Sequence, residues 1–156
     1  MITKIDVIAM TYLLAAVGGC AASPPPSKTP TQLQINVNFT PQDHKTLDRG
    51  AISGVPQHVG FYYSVNPDCS SGGLVNTQLK SPPTHGSVAF VNADGYTNFS
   101  STSAGYDCNK QKSPGVEVIY TSEINFVGTD QFTVQGIGPK GRYMETDYTV
   151  KVLAPK

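Results

Sequence analysis

From Leu33 the chain alternates: Leu33, Ile35, Val37 and Phe39 are apolar, and Gln34, Asn36, Asn38 and Thr40 between them are polar. A period of two places the apolar set on one face of an extended segment, so this stretch reads as a half-buried strand. The same alternation returns at Val59, Phe61, Tyr63 and Val65, at Val116, Val118 and Tyr120, at Phe132 and Val134, and at Tyr148, Val150 and Val152. Shorter candidates run from Val75 to Leu79 and from Ser87 to Val91. No window sustains the period of an amphipathic helix. Turn chemistry fills the gaps: Asn66-Pro67-Asp68, Ser81-Pro82-Pro83, Ala93-Asp94-Gly95, Ser113-Pro114-Gly115 and Gly138-Pro139-Lys140-Gly141. About seven short strands separated by such turns predict an all-β domain over residues 32–156, with two antiparallel sheets packed face to face.

The amino-terminal residues follow a different rule. After Lys4, the run from Val7 through Val17 is apolar apart from Thr11 and Tyr12 and ends in Val17-Gly18-Gly19-Cys20. It is too short to cross a bilayer, which takes about 20 apolar residues in a helix, and fits the apolar region of an export signal. Residues 1–19 resemble a bacterial lipoprotein signal peptide, although Asp6 weakens the basic start and Val17 stands where leucine is commoner. The resemblance implies that Cys20 receives a diacylglyceryl thioether and becomes the acylated first residue. Ala21, rather than aspartate, follows the cysteine, and by the same resemblance this points to the outer membrane. The competing reading is an ordinary signal peptide cut farther on, for instance after Ala22, with Cys20 lost. Residues 20–31 hold that cysteine and the stretch AASPPPSKTPT, which has nothing to bury and favours polyproline geometry. At about 3.1 Å per residue it reads as a tether of roughly 30 Å.

Two segments of the folded part carry a second resemblance. Residues 81–91, SPPTHGSVAFV, and 118–134, VIYTSEINFVGTDQFTV, are similar to bacterial cadherin-like and immunoglobulin-like repeats of surface and envelope proteins. Pro83, Gly86 and Val88 match the first half of the pattern; Tyr120, Thr121, Phe126, Gly128, Asp130, Phe132 and Val134 match the second. Ser122 departs from the usual proline. The resemblance spans residues 74–153 and implies an antiparallel immunoglobulin-like or cadherin-like β-sandwich of about seven strands. Its motif residues have structural tasks, with Asp130 expected to accept amide hydrogen bonds in a turn.

Charge narrows the partners. Eleven basic and eleven acidic side chains balance, and charged residues make up 14% of the chain. Loss of residues 1–19 removes Lys4 and Asp6 and leaves ten of each. Such neutrality argues against nucleic acid as a partner and leaves membrane attachment to the lipid on Cys20.

With Cys20 assigned to lipid, Cys69 and Cys108 remain in polar loops of an exported domain, where a disulfide is expected. Asp94, Asp107, Asp130 and Asp147 invite a calcium reading, but none shows a calcium-loop spacing. His44, His58 and His85 are too scattered for a zinc pattern and read as solvated loop residues. No catalytic residue, metal or cofactor is therefore assigned. Tyr62, on the face opposite Phe61 and Tyr63, is expected to be exposed. Tyr96, Phe99 and Tyr106, among Ser, Asn and Gly of the 92–115 loop, have the composition of a recognition loop. These four aromatics are the candidate partner-binding residues. The expected function is a lipid-anchored, non-enzymatic envelope module that engages an envelope or surface protein. The alternatives are a calcium- or carbohydrate-binding adhesin module and an envelope hydrolase.

Overall fold

The computed structural model describes residues 41–156. The signal segment, Cys20, the tether and the strand expected at Leu33–Phe39 lie outside the described residues. The described chain is all-β: β1 (Asp43–Ile52), β2 (Gln57–Tyr63), β3 (Asn76–Ser81), β4 (Gly86–Tyr96), β5 (Lys112–Ser122), β6 (Gly128–Ile137) and β7 (Tyr143–Leu153), with one 3-10 turn at Tyr106–Lys110. One sheet has the order β1-β7-β6-β3 and the other β2-β5-β4. All neighbours are antiparallel except β1 and β7, which run parallel, a departure from the purely antiparallel expectation.

The two inner faces meet in one core. Val59, Tyr62, Val116, Val118 and Tyr120 come from the three-stranded sheet, and Phe132, Val134, Tyr148, Val150 and Val152 from the four-stranded one. Phe132 stacks between Tyr120 and Tyr148, with ring centroids 5.7 and 4.7 Å away.

β1 has no counterpart among the expected strands. Its sequence, DHKTLDRGAI, turns only Leu47, Arg49 and Ala51 toward the core side, because it is an edge strand held by its ladder to β7. Edge strands tolerate this polarity.

Tyr62 is also placed opposite to expectation: it is 7% exposed and belongs to the core, while Phe61 and Tyr63 lie half-buried on the outer face. Val59 is buried too, three residues away, and strict alternation cannot point both inward. A register shift between His58 and Gly60 resolves the conflict, since one extra residue flips every side chain after it.

Two glycine-bearing stretches read as turns, Ala93-Asp94-Gly95 and Ser113-Pro114-Gly115, instead pair with each other inside β4 and β5. Their glycines make room for the Phe61 ring. A Cβ on Gly95 would lie 2.8 Å from it, and one on Gly115 would lie 2.4 Å from it and 2.6 Å from the Tyr62 carbonyl oxygen. Pro114 lies one residue past Gly115, where pairing with β2 ends, so its missing N–H leaves no gap in that ladder. Gly115→Ala is expected to destabilise the domain by about 2 kcal/mol, because the Tyr62 backbone cannot yield as a side chain can. A chemical-denaturation midpoint equal to wild type would refute this close-approach account.

The ends of the sandwich differ. The β1–β2, β3–β4 and β5–β6 connections share one end. The other carries residues 64–75, 97–111 and 138–142, and also Gln42, whose N–H bonds the Tyr143 carbonyl.

Candidate functional site

The expected 92–115 loop is shorter than its composition suggested, because β4 runs to Tyr96 and β5 starts at Lys112. The loop proper, residues 97–111, is tied down at three places. The Asn109 carboxamide does a strand's work: its Oδ1 accepts from Thr97 Oγ1 at 2.7 Å and from the Phe99 N–H at 3.0 Å, and its Nδ2 donates to the Phe99 carbonyl at 2.8 Å. The Tyr63 hydroxyl donates to Asn98 Oδ1 at 2.8 Å, and the Phe99 ring packs edge-on against Tyr63 at 5.4 Å. Finally, Cys108 on the 3-10 turn is bonded to Cys69 at 2.03 Å, which bears out the expected disulfide. Gln111 Nε2 donates to the Cys69 carbonyl at 3.2 Å and closes the arrangement.

The four candidate aromatics therefore separate. Tyr62 is core. Phe99 is half-buried and serves as an internal prop against Tyr63. Tyr96 and Tyr106 stay 59% and 47% exposed. The Lys112 ammonium lies 5.9 Å from the Tyr96 ring centre, and Asp107 pairs with Lys110 at 2.7 Å.

The four aspartates do not converge. Asp130 sits at the opposite end of the sandwich, 3% exposed, and accepts the N–H groups of Thr84, His85 and Gln131 at 3.0 Å each and the Tyr120 hydroxyl at 2.9 Å. Burial alone would raise its pKa, but these donors outweigh it and hold the carboxyl below the usual carboxylate range. Asp130 thus has the turn role expected of it. Beside it, His85 stacks on Phe126 at 4.3 Å. Asp94 is exposed on β4.

Asp147 belongs to a network that sequence reading missed. His44 is a strand residue, not a loop residue, and its Nε2 lies 2.8 Å from Asp147, which also accepts from Thr133 at 2.7 Å. One β7 repeat away, Glu145 receives Lys80 Nζ on both oxygens at 2.9 and 2.8 Å and the Tyr143 hydroxyl at 2.9 Å. Lys80 holds the Glu145 carboxyl below its usual range, and the Thr133 hydrogen bond does the same for Asp147. His44, Glu145 and Asp147 are the group of metal-ligand type found among the described residues, with ligand atoms within 4.8 Å of one another. Each already has a partner, so a cation would have to displace Lys80 from Glu145 and His44 from Asp147. The sheet order β1-β7-β6-β3 that creates this network is long-range and leaves no local spacing to read.

No protein-family model matches the chain, and no curated protein matches it. Among solved structures the chain is similar to a 2,6-sialyltransferase from a Photobacterium species of the Vibrionaceae, crystallised with CMP and lactose. The two are 14% identical with a TM-score of 0.32, and the match covers 74% of this chain and 19% of the sialyltransferase. That likeness is too slight to carry an argument about fold or activity.

Proposed function

We propose that the protein is a lipid-anchored cell-envelope module, attached through Cys20 at the outer membrane, whose immunoglobulin-like domain binds a protein partner without catalysing a reaction. The observation that carries the binding role is the 97–111 loop. It is fixed by a disulfide, an asparagine clamp and an aromatic prop, yet it leaves Tyr96 and Tyr106 in solvent. With Tyr106 on the 3-10 turn of the loop and Tyr96 at the end of β4 beside it, tyrosines held by ordered backbone lose little conformational freedom on binding, as in preorganised recognition surfaces. The strand order supports the immunoglobulin-like reading: β2-β5-β4 corresponds to the B-E-D strands and β7-β6-β3 to G-F-C, with β1 added beside the last strand. The non-enzymatic reading is supported by the way the two buried carboxylates, Asp130 and Glu145, are occupied by backbone amides, tyrosine hydroxyls and Lys80.

Photo-crosslinking in the intact envelope tests this. A reactive residue at position 96 or 106 is expected to give one discrete protein adduct, and the same residue at exposed Thr129 on the four-stranded sheet is expected to give none. Equal adducts from all three positions, or none from any, would overturn the loop as the binding surface. Fatty-acid labelling that persists after Cys20→Ser would separately remove the anchor.

A further inference from the structure

The two sheets do not close along the side where β1 and β2 are their terminal strands. A groove of about 710 Å³ lies there, within the range of small-molecule sites. The apolar part of its lining is buried Tyr62, Val75 and Tyr148, extended by half-buried Leu47 and Met144, and lies beside buried Glu145 and Thr146. Charge sets it apart. Lys45, Arg49, Lys140 and Arg142 line it against only two acids, Asp43 and Glu145. Asp43 pairs with Arg142, and Glu145 is already taken by Lys80. Lys45, Arg49 and Lys140 are left with no carboxylate partner among the described residues. Arg49 is half-buried, and its guanidinium bonds only carbonyls, Val59 at 2.6 Å and Asp48 at 2.9 Å. At the groove wall, the Tyr62 hydroxyl lies beside those of Thr146 and Tyr148 without a hydrogen bond of normal geometry.

From this juxtaposition of an apolar lining and three uncompensated cations, we propose that the groove binds a small acidic amphiphile: an apolar body carrying one carboxylate, sulfonate or phosphate. The body displaces water from Leu47, Val75 and Met144, and the head group meets Lys45 and Lys140 toward the Asp43 end of the groove, where an anion gains charge-assisted hydrogen bonds, while Arg49, farther along β1, adds only to the positive field. An added peptide strand fits less well. The register shift at His58/Gly60 interrupts the β2 edge, and Arg49 already occupies the Val59 carbonyl, so no continuous ladder is available. The groove shares a wall with the 97–111 loop through Asn98, Phe99, Ser100 and Ser103, but neither Tyr96 nor Tyr106 lines it, so the probe test reads the groove apart from the protein partner proposed for those tyrosines.

The test uses the mature protein and anilinonaphthalene sulfonate, an anionic aromatic probe whose fluorescence rises on apolar burial. The expected result is saturable binding of one probe per chain, displaced by octanoate at concentrations at least tenfold lower than by octanol. Lys45→Glu with Lys140→Glu, both at exposed positions, is expected to weaken probe binding at least tenfold with an unchanged thermal midpoint. Three outcomes each overturn the proposal: no saturable binding, equal displacement by octanol, or charge reversal without effect. A changed midpoint is resolved by the single variant Lys140→Gln, which is expected to weaken the probe about threefold, and its failure to do so also overturns the proposal.

Discussion

Replacing Asp130 with alanine is expected to lower the unfolding free energy by about 4 kcal/mol and the thermal midpoint by roughly 15 °C. The size follows from what the carboxylate holds. Thr84 and His85 belong to the β3–β4 connection, Gln131 to β6 and Tyr120 to β5, so one side chain fastens three elements at one end of the core. Its removal leaves three amide donors without this acceptor and the Tyr120 phenol with only the His85 carbonyl at 3.5 Å, in a part-buried site where each such loss costs about 1–3 kcal/mol before rehydration. Asp130→Asn keeps one acceptor oxygen but turns an N–H toward those donors, so about half of the loss is expected. Tyr120→Phe removes one donor and is expected to cost about 1 kcal/mol. Asp94→Ala, at an exposed site on β4, serves as the control and is expected to stay within about 0.5 kcal/mol of wild type. An Asp130→Ala protein that melts with the control would show that the turn is held by something else.

The same residue sets a pH dependence. Its folded pKa lies below the unfolded value of about 3.9, so its contribution is fully present above that value and is lost as pH falls through the folded one. The stability gap between wild type and Asp130→Asn is therefore expected to be flat from about pH 7 to 5 and to shrink below about pH 4. Asp147 and Glu145, also held low, shift in the same direction and steepen the acid unfolding of both proteins alike. A gap that stayed constant down to about pH 2 would contradict the assignment.

Much of this arrangement was legible from residue patterns, and the failures share a cause. Val116, Val118 and Tyr120, Phe132 and Val134, and Tyr148, Val150 and Val152 all point into the core as their alternation predicts, because central strands buried on one face obey the period of two. Where a strand lies at an edge or changes register, the period fails. β1 buries too little to announce itself, and the Gly60 bulge inverts Tyr62. The glycines of β4 and β5 imitate a turn because the Phe61 ring, more than 30 positions away in sequence, requires their missing Cβ atoms. Of the candidate site, Tyr96, Tyr106 and the cysteine pair were readable from loop composition and cysteine count. The Asn109 clamp, the His44–Asp147 pair and the cationic groove arise from strands brought together by topology, and no local spacing encodes them.

Removing the disulfide, as Cys69→Ala with Cys108→Ala, is expected to lower stability by about 4 kcal/mol, the loop-closure entropy for the 39-residue separation of the two cysteines. Most of that loss acts on the unfolded chain, which gains freedom when the bridge is absent, so the sheets should keep their native hydrogen-exchange pattern. The local consequence is confined to the loop. Cys108 N–H bonds the Gly105 carbonyl at 3.0 Å and Gln111 N–H bonds the Cys108 carbonyl at 3.4 Å, and both belong to the turn that the bridge anchors. Their amides are expected to exchange at least tenfold faster in the double variant, whereas the Phe99 amide, held by Asn109, changes less. Crosslinking from Tyr106 should then fall more than crosslinking from Tyr96, because Tyr106 lies on the anchored turn and Tyr96 ends a strand. Uniform acceleration of exchange across β5, β6 and β7 would instead mean that the bridge stabilises the folded sheets directly. A stability loss under about 1 kcal/mol would mean that the unfolded chain already keeps these two loops close.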